Sequence, residues 1–376
     1  MPMIMFDRRL LKNFGWFLFL MTLAFCAVSL LNLYSASYET GLTYFKKQFV
    51  WVMIGLAALI FVSFINYKLI RQYSFYIYGF TILLLLFVLF FGKVVSGSKS
   101  WINIAGLASI QPSELVKISV ILVLAKFYDN DYQATPYGFL DLIKPLILIV
   151  VPVALVLMQP DLGTAMTILL VAGSMVLFMG IKKWSVAFII IALLGVSFYS
   201  WNYSLKPYQK DRIKTFINPA SDPLNAGYNS IQSQIAIGSG GVSGKGLRSG
   251  SQTQLRFIPA QQTDFAFSVL AEEWGFLGSI FVLLLYFMII LWMLDTSSRA
   301  RDKFSMLVCF GVAAMFFWHI VVNVGMVIGL LPVTGVPLLI FSYGGSSTLT
   351  AMIGIGLVLG IRMRKFSMSG EAIDLG

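Results

Sequence analysis

Apolar residues in this chain come in long blocks, not in the alternation of a strand or the single stripe of a surface helix. A helix that crosses a bilayer needs about 20 mostly apolar residues. Ten stretches meet that need, at 14–34, 47–65, 73–92, 112–128, 143–158, 161–180, 184–204, 264–293, 304–330 and 338–361. Three of the breaks between them are tight: Gln159-Pro160-Asp161, Ile181-Lys182-Lys183, and a turn opening at Leu331-Pro332-Val333. The pattern predicts an all-α polytopic membrane protein, a single membrane domain over 1–376. It has ten transmembrane helices and a large outer loop, residues 205–263, between the seventh and eighth. The first block is longer than the core of a secretory leader and many more follow, so it reads as the first span rather than a cleaved signal.

Composition sharpens this. Of the 376 residues, 58% are hydrophobic and 11% charged, where a soluble domain has about 25% charged. The two cysteines, Cys26 and Cys309, sit in separate apolar blocks, which excludes a disulfide framework. A single histidine, His319, excludes a His/Cys zinc site, and an interior hydrogen bond is its expected role.

Lys and Arg set the orientation. With the N-terminus inside, fifteen of the 27 fall on the cytoplasmic side, among them Arg8, Arg9, Lys182, Lys183, Arg362 and Arg364, and four fall in short outer loops. Both termini are therefore expected in the cytoplasm and the long loop outside. That loop carries seven Lys and Arg, including Arg212 and Lys245, against Asp211 and Asp222, a net +5. It suits an anionic ligand or anionic headgroups. Ile231 and Ile235, at helical spacing among Ser and Gln, predict a short interfacial helix within it.

An ionisable group inside a span costs several kcal/mol and needs a reason. Glu114 and Lys117 lie three apart in IQPSELVKI, on one helical face, either as a packing ion pair or as the charged wall of an outward-facing cavity. Asp161, in QPDLG, stands where a helix N-cap belongs. Thr263 or Asp264 is placed to cap the eighth span. A helix continuing from Asp264 would carry Glu272 and Glu273 about 12–14 Å deeper, towards a polar interior. The glycine-rich GSGGVSGKG is close to a phosphate-binding loop, but Ser239 stands where the first glycine belongs and Gly246 where Ser or Thr is required. SYGGSS, Ser342 to Ser347, serves either close helix packing or a cavity lining.

Taken together, WINIAGLASIQPSELVKI, QPDLGTA, INPASDPLNAGYNSIQSQIAIGSGG, FIPAQQTDFAFSVLAEEWG and GVPLLIFSYGGSS resemble the SEDS family of shape, elongation, division and sporulation proteins. The likeness runs almost end to end, and the opening FDRRLLKNFGW resembles the elongation branch more than the division branch. It implies ten spans with both termini inside the bacterial cytoplasmic membrane. It also implies a peptidoglycan glycosyltransferase that polymerises lipid II beside a class B penicillin-binding protein. The family's essential aspartate falls at Asp264 in TDF, its Glu and Lys of PSELVK at Glu114 and Lys117, and its QPDLG aspartate at Asp161. Arg212 lies in the matching basic outer stretch. Where the family commonly has PE.HTDF, this chain has Ala260 and Gln262, so no acid–base scheme through that Glu or His applies here.

The chemistry so implied is modest in its demands. Lipid II carries its sugar on a diphosphate, a leaving group that needs no acid, so one base suffices, with positive charge to hold the departing diphosphate. Asp264 is the candidate general base. Arg212, Lys117 and a divalent cation (Mg or Mn) held on carboxylate oxygens are the candidate charge stabilisers, and Glu114, Asp161 and Lys245 are further candidates for the substrate-binding or charged cavity. Two other classes stay open. A lipid II flippase needs a charged path but no base, and a membrane scaffold for a cell-wall synthase needs no interior charge.

Overall fold

The computed structural model describes residues 13–95, 98–104, 108–131, 136–199, 202–203, 210–211, 214–216, 218 and 226–367. Helices α1 (Trp16–Ala36), α2 (Thr43–Phe64) and α3 (Tyr67–Phe91) come first. Strands β1 (Lys93–Val95), β2 (Ser98–Ile104) and β3 (Ala108–Ile110) form an antiparallel sheet in that order. Next are α4 (Pro112–Asn130), α5 (Ile143–Met158), α6 (Leu162–Phe178) and α7 (Lys183–Tyr199). Then come α8 (Ala226–Gly240) and the short α9 (Ser251–Gln254), and α10 (Ala266–Ser298), α11 (Lys303–Val327) and α12 (Gly345–Ser367) complete the bundle.

Among the described residues, seven helices are long and apolar enough to cross a membrane: α1, α2, α3, α5 with its preceding turn, α10, α11 and α12. The apolar window of α12 is 83% buried and that of α3 only 22%, so α12 runs through the middle of the bundle and α3 lies at its edge. Side-chain caps start several helices: Asn66 accepts from Lys68 N, Asp161 from Thr164 N and Asp302 from Ser305 N. Pro112 opens α4 at a position where its missing N–H costs nothing. Glycines let α12 approach α2 closely. A Cβ on Gly356 would lie 2.6 Å from the Leu59 carbonyl oxygen, and one on Gly360 would lie 2.9 Å from that of Ser63.

The sequence expectations need four corrections. The chain is not all-α, because residues 93–95, 98–104 and 108–110 pair as a small antiparallel sheet. The last span does not begin at 338. Residues 333–344 form a non-helical strap, buried at 336 and 338–342, and the helix starts only at Gly345. The helix around Ile231 and Ile235 exists, but Ile235 is exposed, and its buried side is the small-residue face Ser233, Ala236 and Gly240. Ser233 bonds the Ser268 hydroxyl at 2.9 Å and the Val327 carbonyl at 2.7 Å, which docks α8 onto α10 and α11.

The fourth correction concerns α10. Gly275 adopts φ 67°, ψ −161°, which breaks the helix in two. That region of conformational space belongs almost solely to glycine. The broken backbone is completed by the glycine-rich loop. Lys245 N and Gly246 N donate to the Glu272 and Glu273 carbonyls, and Phe276 N and Leu277 N donate to those of Gly241 and Val242, all at 2.9–3.1 Å. Gly244 is glycine because a Cβ would overlap the Glu273 carbonyl. GSGGVSGKG is therefore a loop made for close backbone approach, not for phosphate.

The break also changes the depth of the glutamates. Asn32 bonds the Ala266 carbonyl at 3.0 Å and Ser35 bonds Glu273 at 2.5 Å, so both ends of the piece before the break meet the last turns of α1. Three residues on α1 span only about 4.5 Å, while seven helical residues extend about 10 Å. That piece therefore lies across the end of α1. Glu273 stands beside the last turn of α1 rather than deeper along it, and residues 276–298 form the longer piece of the helix.

Gly275→Ala is expected to lower stability by at least about 2–3 kcal/mol, since its Cβ would also press on the Val242 carbonyl at 2.7 Å. Thermal melting of purified protein in detergent reads this directly, and an unchanged midpoint would show that the break relaxes freely.

Candidate active site

Asp264 precedes α10 rather than capping it. The N-cap is Phe265, and no side chain caps this helix end. The carboxylate is left for other partners. The backbone around it is held from several sides. Gln261 and Gln262 donate to the Ala36 carbonyl at 2.9 and 3.2 Å, and Tyr343 N donates to the Gln262 carbonyl at 2.8 Å. Asn323 donates its side-chain amide to the Asp264 carbonyl at 2.8 Å and to the Val336 carbonyl at 2.7 Å. Gly335, at φ 73°, faces the carboxylate. A Cβ there would stand 3.6 Å from Asp264 Oδ2. Asp264 is thus half-buried, on a fixed backbone, beside the strap.

Glu114 and Lys117 form the expected pair, and they form it inside the bundle. Lys117 Nζ lies 2.8 Å from Glu114 Oε1, with the two side chains 0% and 5% exposed. A third member joins them: Lys117 Nζ is also 2.8 Å from His319 Nε2. His319 Nδ1 lies 2.9 Å from the Pro337 carbonyl, which only accepts. The ring proton therefore sits on Nδ1, and Nε2 accepts a hydrogen bond from the ammonium. Glu114 Oε2 has no hydrogen-bond partner among the described residues.

Asp161 does cap α6. It accepts from Thr164 N at 3.1 Å, from the Thr164 hydroxyl at 2.9 Å and from Gln111 Nε2 at 2.8 Å. Two residues on, Gly163 presses against the strap, where a Cβ would come within 2.6 Å of the Thr334 carbonyl. Lys245 pairs with Glu272 at 2.8 Å, and Glu272 also accepts from Gln252 N, Thr253 N and the Thr253 hydroxyl. This glutamate ties α9 and the glycine-rich loop to α10. Arg212 lies outside the described residues. Within SYGGSS, Gly345 packs on Trp51, and Ser346 accepts from Gln111 N at 2.9 Å.

The strap is what gathers these groups. Gly163 of the Asp161 turn meets Thr334, Asp264 faces Gly335, Asn323 holds Val336, and His319 carries the Lys117–Glu114 pair to Pro337. His319 and Asn323 were not among the site candidates read from sequence. Their signal was a four-residue spacing on one face of an otherwise apolar helix. No group of three or more His, Cys, Asp or Glu side chains arranged to hold a metal ion occurs among the described residues.

A family model described as "Cell cycle protein", covering FtsW, RodA and SpoVE, matches residues 11–366. The chain belongs to this FtsW/RodA/SpoVE family. It is 35% identical to the peptidoglycan glycosyltransferase RodA of Treponema pallidum (strain Nichols), over 94% of this chain and 98% of that protein. It is 37% identical to the peptidoglycan glycosyltransferase MrdB of Escherichia coli (strain K12), over 93% and 94%. Its fold matches a chain from a structure described as "Structural coordination of polymerization and crosslinking by a peptidoglycan synthase complex", with TM-score 0.80, 31% identity, and 94% and 99% of the two chains covered. The crystal structure of the rod shape determining protein RodA of Thermus thermophilus matches with TM-score 0.71 and 28% identity, over 94% and 98%.

Removing one member of the buried pair strands the other's charge, at a cost of about 3–5 kcal/mol. Glu114→Ala and Lys117→Ala are each expected to lower melting temperature and membrane abundance sharply. The double variant is expected to fall well short of the summed loss. Strictly additive losses would mean that the two charges do not feel each other.

Proposed function

We propose that this chain polymerises lipid II into glycan strands during cell elongation, with Asp264 as the general base. The activity class comes with the family: the chain is a multi-pass membrane protein and a peptidoglycan glycosyltransferase. The observation that carries the residue assignment is the half-buried carboxylate of Asp264, held by its backbone beside the strap and not used as a helix cap.

In the reaction, the 4-hydroxyl of the acceptor sugar attacks C1 of the sugar borne on the lipid diphosphate. The new C1–O bond forms as the bond from C1 to the diphosphate oxygen breaks, with inversion. The hydroxyl proton passes to the Asp264 carboxylate, and the diphosphate leaves as an anion with the bonding electrons. Hydrolytic glycosidases need a second carboxyl as acid; a diphosphate does not. Positive charge for the leaving group is assigned to the basic outer loop, including Arg212 and Lys245. Lys117 acts from within the bundle, where Glu114 and His319 hold it. Because no carboxylate cluster for a protein-held Mg or Mn occurs among the described residues, no step is routed through a metal.

The same reading places ten spans in the bacterial cytoplasmic membrane, with both termini inside and the 205–263 loop outside. Alongside the seven helices already counted stand α4, α6 and α7. α4 carries Glu114, Lys117, Lys126 and Asp129, and α6 and α7 are each 17 residues long. The partner is a class B penicillin-binding protein, in keeping with the synthase complex that the fold resembles. A tag after Gly250 is expected to be accessible from outside intact cells and one after Arg364 protected; the reverse result would defeat the polymerase reading, because the lipid-linked substrate is consumed outside.

Asp264→Asn tests the base. Asparagine keeps the shape and cannot take the proton, so polymerisation of purified lipid II is expected to fall on the order of 10²-fold or more. Melting and partner binding are expected to hold, since the carboxylate caps no helix. A flippase or scaffold would keep its function in this variant, and a parental polymerisation rate would remove Asp264 from the chemistry.

A further inference from the structure

Apart from one turn, in which Ser342 N donates to the Leu338 carbonyl at 3.0 Å, the strap's shape is imposed from outside. Two consecutive carbonyls, Val336 and Pro337, point at α11, and two side chains one helical turn apart take them: Asn323 at 2.7 Å and His319 at 2.9 Å. Asn323 uses the same amide to hold the Asp264 carbonyl, so the base and the strap share a fastening. His319 is 1% exposed, and its other nitrogen is pinned by the Lys117 ammonium, which fixes the tautomer that donates to Pro337. The next strap residue towards Asp264 after the clamped pair is Gly335, whose left-handed backbone faces the carboxylate.

We infer that His319 is a positioning residue for the transfer reaction: through Pro337 it sets the strap against Asp264, and the Lys117–Glu114 pair acts on catalysis by locking the His319 ring in its donating tautomer. The ion pair is then a part of the site that need not touch substrate. This rests on the reading of Asp264 as base, and the test separates the two.

Histidine's two nitrogens are replaced one at a time. Asparagine puts an amide near the Nδ1 place and keeps a donor for Pro337; glutamine puts its amide near the Nε2 place, reaching Lys117 and not the strap. The strap is watched independently through Thr334→Cys, reacted with a membrane-impermeant maleimide, because the native Cys26 and Cys309 are both buried. The purified variants, with the cognate penicillin-binding protein added, are compared for lipid II polymerisation and for labelling rate. His319→Ala and His319→Gln are expected to lose roughly tenfold or more in kcat at little change in KM, as small misplacement of a reacting group does. Both are expected to label roughly tenfold faster at Thr334→Cys as the strap loosens. His319→Asn is expected to recover most of both.

Rescue by glutamine and not by asparagine would overturn the proposal, placing His319's role at Lys117. So would parental kcat in His319→Ala, or faster labelling with undiminished kcat. Failure of the base reading shows separately, as a parental rate in Asp264→Asn, and the labelling comparison then decides the clamp alone.

Discussion

A stretch of non-helical backbone running among helices is the constraint on which this architecture turns. Such backbone is tolerated at membrane depth only where protein groups meet its carbonyls and amides, and each one left unmet costs about 1–3 kcal/mol. In residues 336–344 the partners come from four different helices. Asn323 and His319 of α11 take Val336 and Pro337, Tyr286 of α10 takes Leu339, Ser29 of α1 takes Ile340 and Phe341, and Gln48 of α2 bonds Ser342 and Gly344. These five polar residues of otherwise apolar spans are thereby explained as a set. Each is the distant half of a backbone hydrogen bond.

The same logic governs charge. An ammonium at Lys117 with no exposed surface needs an acceptor on each side, and Glu114 and His319 supply them. Because His319 also serves the strap, the bundle's electrostatic centre and its irregular backbone are joined in one network. The carboxylates next to the break in α10 are handled differently. Glu272 and Glu273 bind α9 and the loop that mends the break at Gly275. Among these buried or half-buried acids, Asp264 is distinguished by its place at the strap's edge.

Much of this was legible in the chain. The apolar blocks located the helices, the three-residue spacing of Glu114 and Lys117 gave the pair, and Asp161 before an apolar run gave the cap. The strap was not legible, because Leu338 to Phe341 is as apolar as any span and periodicity does not distinguish a buried helix from buried extended chain. The break at Gly275 was hidden for a related reason: one glycine in a helical pattern is tolerated, and only the opposing Gly244 shows that two backbones meet there. The small sheet at 93–110 is too short to leave an alternating signature against its apolar neighbours. His319 was read correctly as an interior hydrogen bonder, but its partners lie 202 and 18 residues away, and no local pattern names them.

Those separations bear on how the chain is made. Ser29 waits for a carbonyl 311 residues further on, and Gln48 for one 294 further on. Synthesis runs from the N-terminus, so α1 and α2 reach the bilayer long before the strap exists. Contacts between such remote parts form late, after the entropy of closing the intervening chain has been met. The bundle is therefore closed by its own last segment, and until the strap and α12 are in place the earlier helices hold polar side chains with no native partner. A ribosome that stops short of residue 345 leaves inserted helices, but not this protein's interior.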